Sequence, residues 1–589
     1  MQRVLDWAAR HWKLVTVLAW AAMAAWFIWQ RWNGIQAFAL PDTDDNLRMA
    51  QVRAWLAGQD WYDLRQYRLD PPAGANIHWS RVVDLPIAGL ILLGRLFVSG
   101  ADAERFAVAV APLLPYLVLA LTLGLIARRL IAPSAFVGAL FALYFAGATN
   151  GMFMPLRIDH HGWQLAFLAL AMAGLADPKR ARGGVTTGIA TALSLSVGLE
   201  MLIYLAIAGA AQVLMWVDDA GQRRRLAAYG VSVAGGTALG FLLFASEANR
   251  LPVCDALSPV WLSDAVLGGA LLLTLAWVSP PTWQRRLLIA AAAGAVVALF
   301  HALAWPQCLS RLEGVSPEVE RLWLNNVREA RPVYLHGWRT ATVILSLPVT
   351  ALIGWALLCW SVRGDRDLLR RCLALAVTSA TALALLFWQT RAGPAAQMLA
   401  IVGCTALIWL VVPRIFARGG LVSAALTAAA LIIGSGATGP VLLGLLPAEK
   451  TAAAGKKVNR ANRLCPSLWA MRPVTRQPRG TVFTFVDLAP RIIAVTHHSS
   501  IAGPYHRNGE AIADVMKAFR GTPEQARALI GKYRSDYVLI CPDMSQATVF
   551  RSQAPKGFYV QLERGRVPGW LQPVDLGKDS PLRMWRVVR

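Results

Sequence analysis

Four groups of polar residues could do chemistry in this sequence. The first is Asp42-Thr43-Asp44-Asp45, three carboxylates within four residues. Like charges so close are costly, and an oxygen-ligated divalent cation would relieve them. A helix N-cap with acidic first-turn residues would also account for them, and a cap needs only one of the three. The second is Asp159-His160-His161. An Asp and a His one residue apart can share a cation where the chain turns, although membrane-boundary histidines are common without one. The third is Arg328-Glu329-Ala330-Arg331-Pro332, with Glu313, Glu318 and Glu320 upstream on what reads as a solvated amphipathic helix. The fourth is Gln389-Thr390-Arg391, where the arginine could snorkel to headgroups or hold a lipid-linked phosphate.

The rest of the chain says what must position these groups. Of 589 residues, 56% are hydrophobic and 16% charged, too apolar for a soluble or disordered chain. The sequence reads as a polytopic α-helical membrane protein. Its net charge of +24 fits cytoplasmic loops and lipid headgroups and is no sign of a nucleic-acid partner. Apolar runs near the ~20 residues needed to cross a bilayer recur about thirteen times. They fall at 13–32, 106–126, 132–150, 162–176, 184–198, 199–217, 228–245, 259–278, 286–305, 341–361, 371–389, 396–412 and 420–446. The shorter run 86–100 reads as interfacial.

Basic residues mark every second loop: Arg128-Arg129, Lys179 to Arg182, Arg223 to Arg225, Arg285-Arg286, Arg363 to Arg371, and Arg414 with Arg418. The positive-inside rule assigns these and the N-terminus to the cytoplasm. The first span is expected to stay uncleaved. All four polar groups then face outward, two of them on long loops at 33–85 and 306–339. The apolar pattern ends near 449. Thus 1–449 reads as the transmembrane domain and 450–589 as an extracytoplasmic α/β domain, with strands at 481–486 and 537–541 and helices at 509–520 and 523–533. That domain is basic, by 23 to 9, as suits a place near anionic lipid. Cys254 with Cys308, and Cys465 with Cys541, are candidate disulfides in the outer compartment; free thiols are the alternative. The usual P-loop, dinucleotide, zincin and nucleophile-elbow signatures are not found, so ATP- and NAD-driven chemistry lacks support.

Taken in order, these groups resemble GT-C-fold membrane glycosyltransferases, and among them the catalytic subunit of oligosaccharyltransferases. That family carries D-x-x-x-N-Y-R in its first outer loop; here Asp42 stands six before Arg48, in Asp42-Thr43-Asp44-Asp45-Asn46-Leu47-Arg48. Its Trp- and Tyr-rich stretch is matched by Trp61-Tyr62, Asp70-Pro71-Pro72, Trp79 and Pro86. Asp159-His160-His161-Gly162 matches its second-loop Asp-x-Asp or Asp-x-Glu-Gly, with His161 as second ligand. Asn326 to Pro332 keeps the Val, Glu and Pro of S-V-S-E-H-Q-P, and Arg391 corresponds to an arginine that grips the donor phosphate. Of the W-W-D-Y-G segment only Asp487 remains, in Phe485-Val486-Asp487-Leu488-Ala489, and Gly503 to Asn508, with His506, stands where D-N-N-T-W-N would. That loss puts protein N-glycosylation in doubt.

The resemblance implies a membrane glycosyltransferase that moves a sugar or oligosaccharide from a polyprenyl-phosphate-linked donor to an acceptor on the outer membrane face. The acceptor would be a polysaccharide, a lipid or a protein. Asp42, Asp159 and His161 would hold Mn²⁺ or Mg²⁺, Asp42 would also act on the nucleophile, Glu329 would close over the site, and Arg391 would bind the donor phosphate. Asp44, Asp45, His160, Asp487 and His506 are further site candidates. High Ala and Arg usage points to a bacterial inner membrane, with the C-terminal domain in the periplasm. A flippase for a lipid-linked glycan is the alternative; it predicts ionisable residues within the spans, of which Glu200 is the main one. A mere membrane anchor for a partner-binding domain would leave Asp42 and Asp159 unexplained.

Overall fold

The computed structural model describes residues 2–310, 314–447 and 453–588. Glu313 and the domain boundary expected at 449/450 lie outside the described residues. Every apolar run forms helix, yet the runs are not equal. Among the described residues eight helices are long and apolar enough to cross a membrane, from Trp12–Gln36 to Thr390–Phe416. A ninth is counted if Gly420–Gly434 and Thr438–Leu445 form one span bent by 107°. The helices mark an integral membrane protein, but thirteen full spans are not reached. Phe136–Phe145, His161–Leu175 and Leu202–Asp218 have 10, 15 and 17 residues. At ~1.5 Å per residue even 17 residues fall short of a ~30 Å hydrocarbon core. Arg180–Val197 is long enough but carries Arg180, Arg182 and several Thr and Ser residues. It ends at Gly198, where the sequence divides two runs.

Two glycines let these helices meet closely. A Cβ on Gly354 would strike the carbonyl of Gly403, so Trp338–Ser361 and Thr390–Phe416 touch backbone to backbone. Gly436, at φ +71°, makes the sharp bend before Thr438–Leu445 and lies against the backbone of Leu347. The basic turns gather at one end of the bundle. Asp177, just past His161–Leu175, accepts from Arg129 at 2.7 Å and from Arg182 at 2.6 and 2.8 Å. Arg225 and Arg371 donate to the carbonyls of Gly174 and Ala176 nearby.

Residues 453–588 build a five-stranded mixed sheet in the spatial order 499–500, 481–483, 537–540, 583–587, 571–574. The first three strands are parallel and the last two antiparallel. Gly509–Arg520 and Pro523–Lys532 form where the sequence suggests, the second opened by a capping box between Thr522 and Gln525. Phe483, Phe485, Phe519, Phe550 and Tyr559 pack as the core beneath.

This C-terminal unit is locked to the first long loop. The Asp70 N–H donates to Ser500 O at 2.9 Å, and Leu69 bridges to Ser500 in parallel. Leu47, Leu69, Ile77, Trp79, Ile493 and Tyr505 share one apolar cluster, which joins helix Thr43–Leu56 to helix Ala489–Val495. These contacts position the acidic loop.

Candidate active site

Asp42 caps helix Thr43–Leu56, its carboxylate accepting from the Asp44 N–H at 3.4 Å. The cap thus exists, and it uses one carboxylate of the three. The other two are turned to different partners. Asp45 Oδ1 accepts the N–H groups of Ile158 and Asp159 at 2.8 and 3.1 Å, pinning the second acidic loop to the first. Asp44 is pushed up to about 7 by burial and by the charge of Asp42.

At the centre stands Arg157. Its guanidinium lies 2.7 Å from Asp42 Oδ2, 3.4 Å from Asp45 Oδ2 and 2.6 Å from Asp159 Oδ2. Asp45 and Asp159 are fully buried, whereas Asp42 remains 44% exposed. Burial alone would raise Asp159, but Arg157 and then His161 hold it well below the carboxylate range. Asp42 is lowered too, Arg157 outweighing its burial. Asp45 goes the other way: burial lifts it well above its ordinary value against the pull of Arg157. His161 folds back on Asp159, with Nδ1 3.2 Å from Oδ1 and its N–H donating to the same oxygen at 3.0 Å.

A second layer surrounds this cluster. His160 stacks on His161 with centroids 4.4 Å apart, and its Nε2 lies 2.8 Å from Glu200 Oε1. Gln164 donates to Glu200 Oε2 at 2.7 Å. Trp79 packs on His160, 5.3 Å between centroids, and carries the Arg48 guanidinium 4.3 Å over its ring. Arg48 and Arg81 both pair with buried Asp84, at 2.9 and 3.1 Å. From the C-terminal unit Tyr505 donates to Thr43 O at 3.0 Å, and Arg491 donates to Asn46 Oδ1 at 3.1 Å. Asp487 feels the site as well: burial and the charge of Asp42 raise it to about 6. Beside Arg157 and Asp159 a small cleft is lined by Ile87, Pro112, Pro115, Met152 and Trp163.

Other candidates lie elsewhere. Glu329 and Arg391 pair with each other at 2.9 Å, 61% and 41% exposed. Thr390 ties the two segments by donating to Glu329 O at 3.2 Å. His506 turns to Asp255 at 2.5 Å. Sequence reasoning passed over Arg157 as a site residue, and it saw Glu200 only as an ionisable group near the spans. The signal for Arg157 was present: it stands two residues before Asp159, opposite three carboxylates that need a counter-charge.

As placed, Asp42, Asp159 and His161 do not bring three ligand atoms within 4.8 Å of one another, because the Arg157 guanidinium lies between the two carboxylates. Asp42 and Asp159 each aim an oxygen at the same guanidinium, the position a divalent ion would take, and His161 Nδ1 is engaged with Asp159 Oδ1 at 3.2 Å. Two carboxylate oxygens and one imidazole suit Mn²⁺ and admit Mg²⁺.

No protein-family profile and no curated protein matches this sequence. In three dimensions the chain is similar to the archaeal oligosaccharyltransferase AglB from Archaeoglobus fulgidus, solved with an inhibitory peptide and a dolichol-phosphate. The TM-score is 0.68 at 16% identity, over 96% of this chain and 73% of that one. A structure of the Archaeoglobus fulgidus oligosaccharyltransferase tethered to an acceptor peptide with the NVT sequon gives 0.65 at 15%, over 97% and 74%. Another, complexed with Zn and sulfate, gives 0.62 at 15%, over 95% and 71%. The likeness is one of fold, and at that level the resemblance expected from the loop motifs holds: this is the fold of GT-C membrane glycosyltransferases.

Proposed function

We propose that this chain is a membrane glycosyltransferase of the oligosaccharyltransferase-like GT-C type. It would move a sugar or oligosaccharide from a polyprenyl-phosphate-linked donor to an acceptor polysaccharide, lipid or protein. The observation that carries the reading is the meeting of Asp42 and Asp159, from separate loops, on one cationic group.

The roles follow from exposure and charge. Asp42 is ionised and accessible, so it can orient the acceptor nucleophile and accept its proton. The nucleophile attacks the anomeric carbon, the bond from that carbon to the phosphate oxygen breaks, and the lipid phosphate leaves with its electron pair. Asp42, Asp159 and His161 would hold a Mg²⁺ or Mn²⁺ ion, which supplies charge neutralisation at the leaving phosphate. Arg391 would bind the donor phosphate once its pair with Glu329 opens, which frees Glu329 to reach the acceptor. The apolar cleft beside Arg157 and Asp159 suits the first units of the lipid tail.

The site would face outward. Helix His161–Leu175 has Asp159 and His161 at one end and the arginine-rich Asp177 turn at the other, ~22 Å apart for its 15 residues. Arginine-rich turns favour the cytoplasm. The C-terminal unit would then be a periplasmic domain of a protein in a bacterial inner membrane.

The test is transfer of sugar from a polyprenyl-linked donor by the purified chain in lipid nanodiscs. Asp42→Ala and Asp159→Ala should abolish transfer while the protein still inserts and elutes as wild type, and EDTA should stop the wild type. Full activity in both variants would remove the site. Glycan translocation that persists in EDTA, with no transfer, would favour the flippase.

A further inference from the structure

A second cluster of ligating side chains lies outside the site described above. We propose that His78, Asp255 and His506 bind a transition-metal ion of the zinc class, which clamps the C-terminal unit to the first long loop and to the loop before Pro259–Val278. Among the described residues this is the set of His, Cys, Asp and Glu groups that offers three ligand atoms within 4.8 Å of one another. Two imidazoles and one carboxylate form the donor set of many zinc centres and suit Mg²⁺ or Ca²⁺ poorly. The proposal stands whether or not the chain transfers sugar.

The geometry is nearly closed. His506 Nε2 is 2.5 Å from Asp255 Oδ2, and the rings of His78 and His506 lie 4.5 Å apart. Ligand atoms around a tetrahedral zinc stand about 3.4 Å apart, so shifts on the order of an ångström complete the shell. His78 Nδ1 is buried without a hydrogen-bond partner, an unmet need that coordination would satisfy.

The backbone around each ligand is fixed. Ile77 and Trp79 flank His78 and are buried. Asp255 follows Cys254, which is bonded to Cys308, and His506 follows buried Tyr505. Arg507 grips Asp255 from outside, its Nε 2.7 Å from Oδ2 and its Nη2 2.6 Å from Oδ1, and so aims the carboxylate as an outer-shell partner does. The three ligands come from elements far apart in sequence, so an ion here would add to the apolar contacts and the Arg507–Asp255 pair that already join them.

The test uses full-length Asp159→Asn protein without a histidine tag, so that the Asp42–Asp159–His161 set is incomplete. Zn²⁺ is titrated after chelator treatment, and bound metal is counted by mass spectrometry. One equivalent should bind, and His78→Gln in the same background should weaken it by more than the ~10–100-fold typical of losing an outer-shell partner. Unchanged affinity in His78→Gln, or no uptake at all, overturns the proposal. A density map of the Zn²⁺-loaded protein needs no substitution at the site: a peak between the three side chains is expected, and its absence is equally fatal.

Discussion

Replacing Arg157 by Gln tests whether this one guanidinium neutralises the acidic cluster. The side chain is 15% exposed and binds two carboxylates that are fully buried and one that is not. Removing one partner of a buried pair typically costs ~3–5 kcal/mol, because the charges left behind stay desolvated. Unfolding entropy near ~2.1 cal/mol/K per residue gives roughly 1.2 kcal/mol/K for a chain of 589 residues. Metal-free Arg157→Gln should therefore melt about 3–4 °C below metal-free wild type in detergent. Added Mg²⁺ should then do more for the variant than for wild type, since it no longer competes with a guanidinium. At one hundred times its dissociation constant the ion returns ~2.7 kcal/mol, or about 2 °C. Mg²⁺ is chosen because it is a poor partner for the imidazoles of His78 and His506. The assay is a thermal melt with and without Mg²⁺, with Arg157→Gln/Asp159→Asn as the reference that lacks both guanidinium and a ligand. If metal-free Arg157→Gln melts with wild type, the charge reasoning is wrong. If Mg²⁺ shifts the double variant as much as the single one, the ion is held elsewhere.

Three further outcomes follow from the fold. Gly354→Val should force two touching helices apart and cost ~1–3 kcal/mol, whereas Gly364→Val, in open space, should melt as wild type; equal melting of the two would contradict the backbone contact. Burial would raise Asp177, but Arg182 and the Lys179 N–H lower it from 3.8, so its contribution is present in full above 3.8 and is lost as pH falls from there through the lowered value of the folded state. Asp177→Asn should thus flatten the acid limb of the stability profile, and an unchanged limb would show that the arginine turn is not held by this carboxylate. Finally, Cys254–Cys308 and Cys465–Cys541 are bonded and three cysteines are free. The denatured, unreduced chain should take up three alkyl groups by mass and the reduced chain all seven; seven without reductant would exclude both bonds.

The sequence made the helices and the acidic loops legible, each for a local reason. Apolar runs must become helix in a bilayer, because every backbone polar group there needs an internal partner. Thr522 and Gln525 announce the helix they cap. What hydropathy cannot deliver is length: 132–150 is mostly apolar, yet the helix stops at Phe145 and restarts at Gly147. The strands were placed but overextended, since pairing partners rather than composition end them. Thr481–Phe483 stops where its short neighbours Ser499–Ser500 and Tyr537–Ile540 cease to match it.

The site was legible as carboxylates and hidden as a charge balance. Asp42, Asp159 and His161 are conspicuous one by one, whereas Arg157 gains meaning only once two loops meet. Its contact with Asp42 closes 115 residues of chain, and no local pattern encodes that closure. The same holds for Glu200 beneath His160, and more strongly for His78, Asp255 and His506, which share no motif at all. The pairing of Glu329 with Arg391 carries the point into mechanism. Glu329 was expected to close over the site and Arg391 to bind the donor phosphate, and instead they pair with each other. An exposed pair of this kind holds by only ~0–1 kcal/mol. On the function proposed above, a donor phosphate would compete with Glu329 for Arg391, while Thr390 keeps the two segments together.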